Sequence, residues 1–196
     1  MEIHEYPHCC AGGHPAPFRL WHKWVAAFCI VAVALMSARP LIVWQLSSRA
    51  TSYIACQLYQ DAVRMYRRAI FFDSHNAQLW ESLGYTYQIS HDSAHAQQAY
   101  RQAIVVDSKR KSAYLSLGLL LMLSDQHREA SYYFERVRQL GPGTKKDLAV
   151  DVLDCHRSAL RMLVTCYDVL KEGAKRQSIV NEFKRYYPQD NFLKKL

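Results

Sequence analysis

Residues 80–103 read WESLGYTYQISHDSAHAQQAYRQA, and residues 114–137 read YLSLGLLLMLSDQHREASYYFERV. Shifted by 34, the two stretches agree at the positions that pack one helix on another. Trp80, Leu83, Gly84 and Tyr87 fall on Tyr114, Leu117, Gly118 and Leu121. Ala96, Tyr100 and Ala103 fall on Ala130, Phe134 and Val137, and Pro142 follows where a unit would close. Steps of three and four residues describe one face of a helix. A glycine on that face marks a close approach of two helices, where a Cβ would be in the way. The alanines keep the second helix near the first, and the large rings fill the space between successive hairpins. Self-similarity at a fixed period of this length is the mark of a stacked repeat.

Working outward, a copy 34 residues earlier holds Ala62, Tyr66 and Ala69, with Ala50 and Tyr53 before them. It departs from the pattern at Leu46, Arg49 and Ala50. A later copy holds Leu160, Leu163, Val164 and Tyr167, then Phe183, Tyr186, Tyr187 and Pro188. There Arg176 and Val180 stand where an alanine and an aromatic are expected, and residues 145–156 intervene. The apolar steps in that insertion predict a lengthened first helix. The motif W-x2-L-G-x2-Y, then A-x3-Y, then Pro, at this period, resembles the tetratricopeptide repeat. The resemblance implies an all-α fold, a tetratricopeptide-type α-solenoid of helical hairpins over 43–196. Its repeats fall at about 43–76, 77–110, 111–144 and 157–190.

In such an array the first helix of each hairpin lines a concave groove. The periodicity predicts that Gln78, Glu81, Tyr85 and Gln88 face it from the second hairpin. Leu115, Leu119 and Met122 face it from the third, and Arg161 from the fourth. Apolar groups on such a face suit a peptide helix or an extended chain. The competing reading covers part of this patch with the C-terminal helix or an oligomeric mate. Members of the family that clamp the C-terminal carboxylate of chaperones use Lys, Asn and Arg here. This chain has Glu81, Tyr85, Leu115 and Leu119, so that clamp is not built.

Upstream, residues 24–38 read WVAAFCIVAVALMSA without a charge, Arg39 and Pro40 interrupt, and LIVW resumes. A helix crosses a bilayer with about 20 apolar residues. If Arg39 snorkels, residues 24–46 form a transmembrane helix with tryptophans at its edges. That reading places the protein in a bacterial inner membrane or an organelle membrane, single-pass, in contact with lipid. A cleaved signal peptide competes, since Ala32-Val33-Ala34 has the form of a small-residue site, but it sits mid-run behind a long leading region of 23 residues. Arg19 and Lys23 balance Arg39 and Arg49, so charge favours neither orientation. Residues 1–23 are read as a flexible tail. Its His4, His8, Cys9, Cys10 and His14 offer thiolate and imidazole ligands, which keeps a metal-handling alternative in view.

The 196 residues are half hydrophobic, with only 7 Gly and 6 Pro, which excludes a disordered or fibrous chain. Of 25 basic and 17 acidic residues, 22 and 15 lie in 47–196, so the excess charge belongs to the repeats. The basic runs 64–68 and 101–111 are read as a solvated outer face, with acidic residues interspersed and no nucleic-acid motif present. No nucleophile elbow, P-loop, H-E-x-x-H or C-x-x-C occurs. His91 falls at a bend and His95 on a helix face, without an acidic third ligand. The expectation is no enzyme, no cofactor, no small-molecule substrate and no nucleic acid. The chain reads as a membrane-anchored scaffold or assembly factor that binds a partner protein in its groove. An integral subunit of a larger membrane complex is the alternative.

Overall fold

The computed structural model describes residues 18–142 and 154–195. The described residues form eight α-helices and one 3-10 turn, with no strand. They are α1 (Phe18–Ala55), α2 (Tyr59–Phe72), α3 (Ala77–Ile89), α4 (Ser93–Val106), α5 (Lys111–Leu123) and α6 (His127–Gln139). Then come α7 (Cys155–Val169), α8 (Gly173–Tyr186) and the 3-10 turn Asn191–Lys195. The described residues are thus all-α, and those from Ile42 onward form a stack of antiparallel hairpins. Most of the insertion at 145–156 and nearly all of the His/Cys tail lie outside them.

Each hairpin turns in one way. Gln57, His91, Asp125 and Lys171 all have φ between 57° and 62°, the left-handed region. The first three are 34 residues apart, and the fourth is displaced by a further 12. At each, the N–H of the left-handed residue bonds three residues back and the next N–H bonds five back. His91 reaches the Gln88 carbonyl at 3.1 Å, and Asp92 reaches that of Tyr87 at 2.9 Å. This double bond satisfies the last carbonyls of the first helix. Glycine is the residue that adopts this conformation without cost, and none of the four is glycine. The second helix then begins at once. Asp92 accepts the His95 N–H at 3.2 Å and so caps α4. Asn76 caps α3 and Asp154 caps α7 in the same manner.

Packing inside a hairpin is ring on glycine. A Cβ built on Gly84 would lie 2.8 Å from the Tyr100 ring, and one on Gly118 would lie 2.6 Å from the Phe134 ring. Tyr100 and Phe134 are buried, as are Ala96, Ala103 and Ala130. The register explains the odd residues of the last hairpin. Val164 occupies the glycine position and Val180 the ring position, and both are buried. Two mid-sized side chains replace a large one and none, which conserves volume. Successive hairpins pack through neighbours: α2 on α3, α4 on α5, α6 on α7, with α7 also on α5.

The chain divides into two compact units between Leu41 and Ile42. In the first, Trp24, Phe28, Ile30 and Val33 of α1 are exposed. The expected transmembrane helix at 24–46 is corrected here. Among the described residues no helix is long and apolar enough to cross a membrane. The charge-free run is fifteen residues, short of the required ~20, and Arg39 and Pro40 follow it inside α1. The residues meant to complete the span serve the repeats instead: Val43 is buried and Leu46 packs on the core. The single-pass membrane location, and with it the lipid contact through 24–46, is not supported.

Candidate functional site

The first helices of the leading hairpins converge on a pocket of about 440 Å³. Thr51 and Ile54 line it from α1, and Gln78, Glu81, Ser82 and Tyr85 from α3. Arg110 and Ser116 close it at the start of α5. Alternation along α3 produces this face. Residues 78, 81, 82 and 85 turn outward, while Leu79, Leu83 and Tyr87 are buried.

The polar groups of the pocket are largely committed. The Glu81 carboxylate pairs with the Arg110 guanidinium and accepts from Ser112 Oγ at 3.1 Å, which ties α3 to α5. Both partners of the ion pair are half-buried. Gln88 Oε1 accepts the Tyr100 hydroxyl at 2.8 Å. Burial pushes the Tyr100 phenol well above its usual range, so it remains a neutral donor. Gln78 and Tyr85 are the free members: both are exposed, Tyr85 by 52%. The one cation lining the pocket, Arg110, is held by Glu81.

Further along the array the same face closes. Leu115 is only 4% exposed, and α7 packs on α5. Leu119 and Met122 are half-buried against the core. Arg161 pairs with Asp190 and lies 5.7 Å from the Phe192 ring centre. The chain's own C-terminal turn therefore covers α7, and Phe192 packs edge-on against Phe183. Pro142 is exposed beyond α6. Among the described residues no group of His, Cys, Asp and Glu could hold a metal ion.

No protein-family model matches the sequence, and no curated protein matches it. Solved structures do. MamA superposes with a TM-score of 0.57 at 21% identity, over 77% of this chain and 80% of its own. The Sgt2 TPR domain from Aspergillus fumigatus gives 0.54 at 20% identity, over 68% and 82%. The second TPR domain of human RPAP3, solved with the HSP70 peptide SGPTIEEVD, gives 0.53 at 23% identity, over 65% and 97%. The fold is that of a tetratricopeptide-type solenoid. Within that tetratricopeptide fold, the face formed by α1, α3 and α5 is the open part of the first-helix groove. The part at α7 is filled by the molecule itself.

Sequence periodicity finds the outward residues of α3. It does not find the closure over Leu115 and Arg161, which depends on contacts between elements far apart in the chain. The neutralisation of Arg110 by Glu81 is equally non-local. A 29-residue separation leaves no local pattern to read.

Proposed function

We propose that this chain is a non-catalytic scaffold that binds a partner protein in the groove lined by α1, α3 and α5. The exposed Tyr85 ring beside the hydroxyls of Thr51, Ser82 and Ser116 carries the reading. An exposed tyrosine in a recess supplies large contact area at low cost in conformational entropy. Gln78, two turns away on the same face of α3, offers an amide to a partner's main chain. The structural neighbours include domains solved with chaperone peptides, which supports peptide binding as the use of this groove. The chemistry of the ligand differs from theirs. With Arg110 held by Glu81, the pocket lining among the described residues offers no free cation for a terminal carboxylate. It therefore suits a neutral, hydroxyl- or amide-bearing segment rather than an acidic tail.

The test is affinity capture from cell extract with the full chain, followed by quantitative mass spectrometry. Tyr85→Ala combined with Gln78→Arg changes two exposed side chains and leaves the core intact. A partner retained by the native protein should fall by about tenfold or more with the double variant, at unchanged melting temperature. Equal recovery would move the site off this face. Leu115 is unsuitable as a probe, because a charge placed there would be buried without a partner.

A further inference from the structure

On the side of the second helices lies a larger pocket, about 590 Å³, within the range of sites that hold small ligands or peptide side chains. Ile70 of α2, Trp80 and Leu83 of α3, and Ala99 of α4 form an apolar floor. The Trp80 Nε1–H donates to the Ser74 carbonyl at 3.0 Å, so the indole is anchored at its nitrogen. Beside it the Tyr87 ring stacks on His95 at 5.1 Å, with 26° between the planes.

The rim is cationic. Arg67, His95 and Arg101 line the pocket, and no Asp or Glu does so among the described residues. His95 Nδ1 faces Asp92 at 2.7 Å, and Arg101 pairs with Glu129 at 3.2 Å. Arg67 differs from both. It donates to the Tyr87 hydroxyl at 2.7 Å and lies 6.0 Å from that ring's centre. Among the described residues no carboxylate pairs with it. Its planar fork is therefore held in place with its charge uncompensated, an arrangement suited to a carboxylate. Gln98 and Gln102 stand one turn apart on α4, both exposed on the rim. Two amides at that spacing match the donors and acceptors of an extended main chain.

We infer that this pocket binds a short acidic peptide segment. A branched or aromatic side chain enters the floor at Trp80 and Leu83. An adjacent carboxylate pairs with Arg67, and Gln98 and Gln102 hold the peptide main chain. A nucleic-acid strand fits less well, because it needs several free cations in a row and this rim offers one. The site is separate from the groove at Tyr85, on the other side of α3.

The experiment uses the full chain and two fluorescein-labelled probes, Glu-Glu-Leu-Phe-Glu and Gln-Gln-Leu-Phe-Gln, read by anisotropy. The acidic probe should bind about tenfold more tightly or better. Arg67→Gln should erase that difference. Gln98→Glu with Gln102→Glu, at exposed positions with no part in the core, should weaken the acidic probe by about tenfold more than the neutral one, because it adds like charge beside the acidic segment. Tyr85→Ala should change neither, which separates this site from the groove. With benzoylphenylalanine in place of the probe's Phe, illumination should label Trp80 or Phe71. Equal affinity of the two probes would overturn the inference. So would loss with Tyr85→Ala alone, displacement by an oligothymidine strand, or absence of saturable binding at about millimolar probe.

Discussion

Gly118 faces the Phe134 ring across a gap that a Cβ would close to 2.6 Å, and Phe134 is fully buried. Two effects oppose each other in Gly118→Ala. Helix propensity favours alanine by about 1 kcal/mol, whereas overpacking an enclosed ring costs about 1–3 kcal/mol. The ring cannot retreat, so the variant should lose stability, read as a fall of a few degrees in melting temperature. Val164 and Val180 permit the converse test. Val180→Phe alone should destabilise by overpacking, and Val164→Gly alone by leaving a cavity. The double variant should be more stable than their sum by roughly 1–3 kcal/mol in a denaturation cycle. His91 offers a gain. It is exposed and left-handed, so His91→Gly should raise stability by about 1 kcal/mol in urea denaturation. These residues also show what sequence carries. Gly84 and Gly118 are legible because the close approach demands one residue type. Gln57, His91, Asp125 and Lys171 share a backbone conformation but no side chain, so nothing in their identities announces the turn.

The last hairpin and the turn that follows it form an element held by titratable groups. Asp190 accepts from Arg161 and from the Phe192 N–H, and its side chain is almost fully shielded from water. Desolvation pushes its carboxyl up, but the Arg161 guanidinium and the Phe192 N–H outweigh that and hold it below the ordinary 3.8. A depressed carboxylate stabilises the fold above its unfolded value and ceases to do so as pH falls through the folded one. Asp190→Asn should therefore be less stable than the native chain near neutrality, and the gap should close well below pH 3.8. Urea denaturation at the two pH values measures it. His156 is buried beneath Tyr186 and Tyr187, its Nδ1 3.0 Å from the Tyr187 hydroxyl. Desolvation holds it below the ordinary 6.5, so it is neutral in the fold and gains a proton more readily when unfolded. Stability should thus decline as pH falls below 6.5, and His156→Phe should flatten that decline in a melting series. Neither group was visible as a control point in the sequence. Arg161 and Asp190 are 29 residues apart, and His156 meets Tyr187 across 31. The error at the N-terminus has the same origin. Local hydropathy over 24–46 suggested lipid, but Val43 and Leu46 are claimed by helices that follow.

At the scale of the molecule, contacts run mostly between neighbours in the stack, so stability is close to a sum of hairpins and their interfaces. Phe183→Ala removes a fully buried ring and should cost about 3–5 kcal/mol in the last hairpin. Hydrogen exchange should quicken in α7, α8 and the faces of α5 and α6 that touch α7. Protection in α2 and α3 should be unchanged, and a uniform loss would show a single cooperative unit instead. The larger pocket, lined by α2, α3 and α4, lies away from this damage and should keep its shape, whereas the groove at Arg110 and Ser116 shares α5 with it. The left-handed turns carry one more consequence. Since Gln57, His91 and Asp125 recur at one interval with one geometry, excising residues 92–125 would join His91 to Gln126 across an unaltered corner. The product would be one hairpin shorter, with every remaining junction of a kind already present. The 12 additional residues before Lys171 place the last corner outside that interval, so the same edit is not open there. Up to that point the natural unit of change in this molecule is the hairpin, and the stack can be lengthened or trimmed in whole steps.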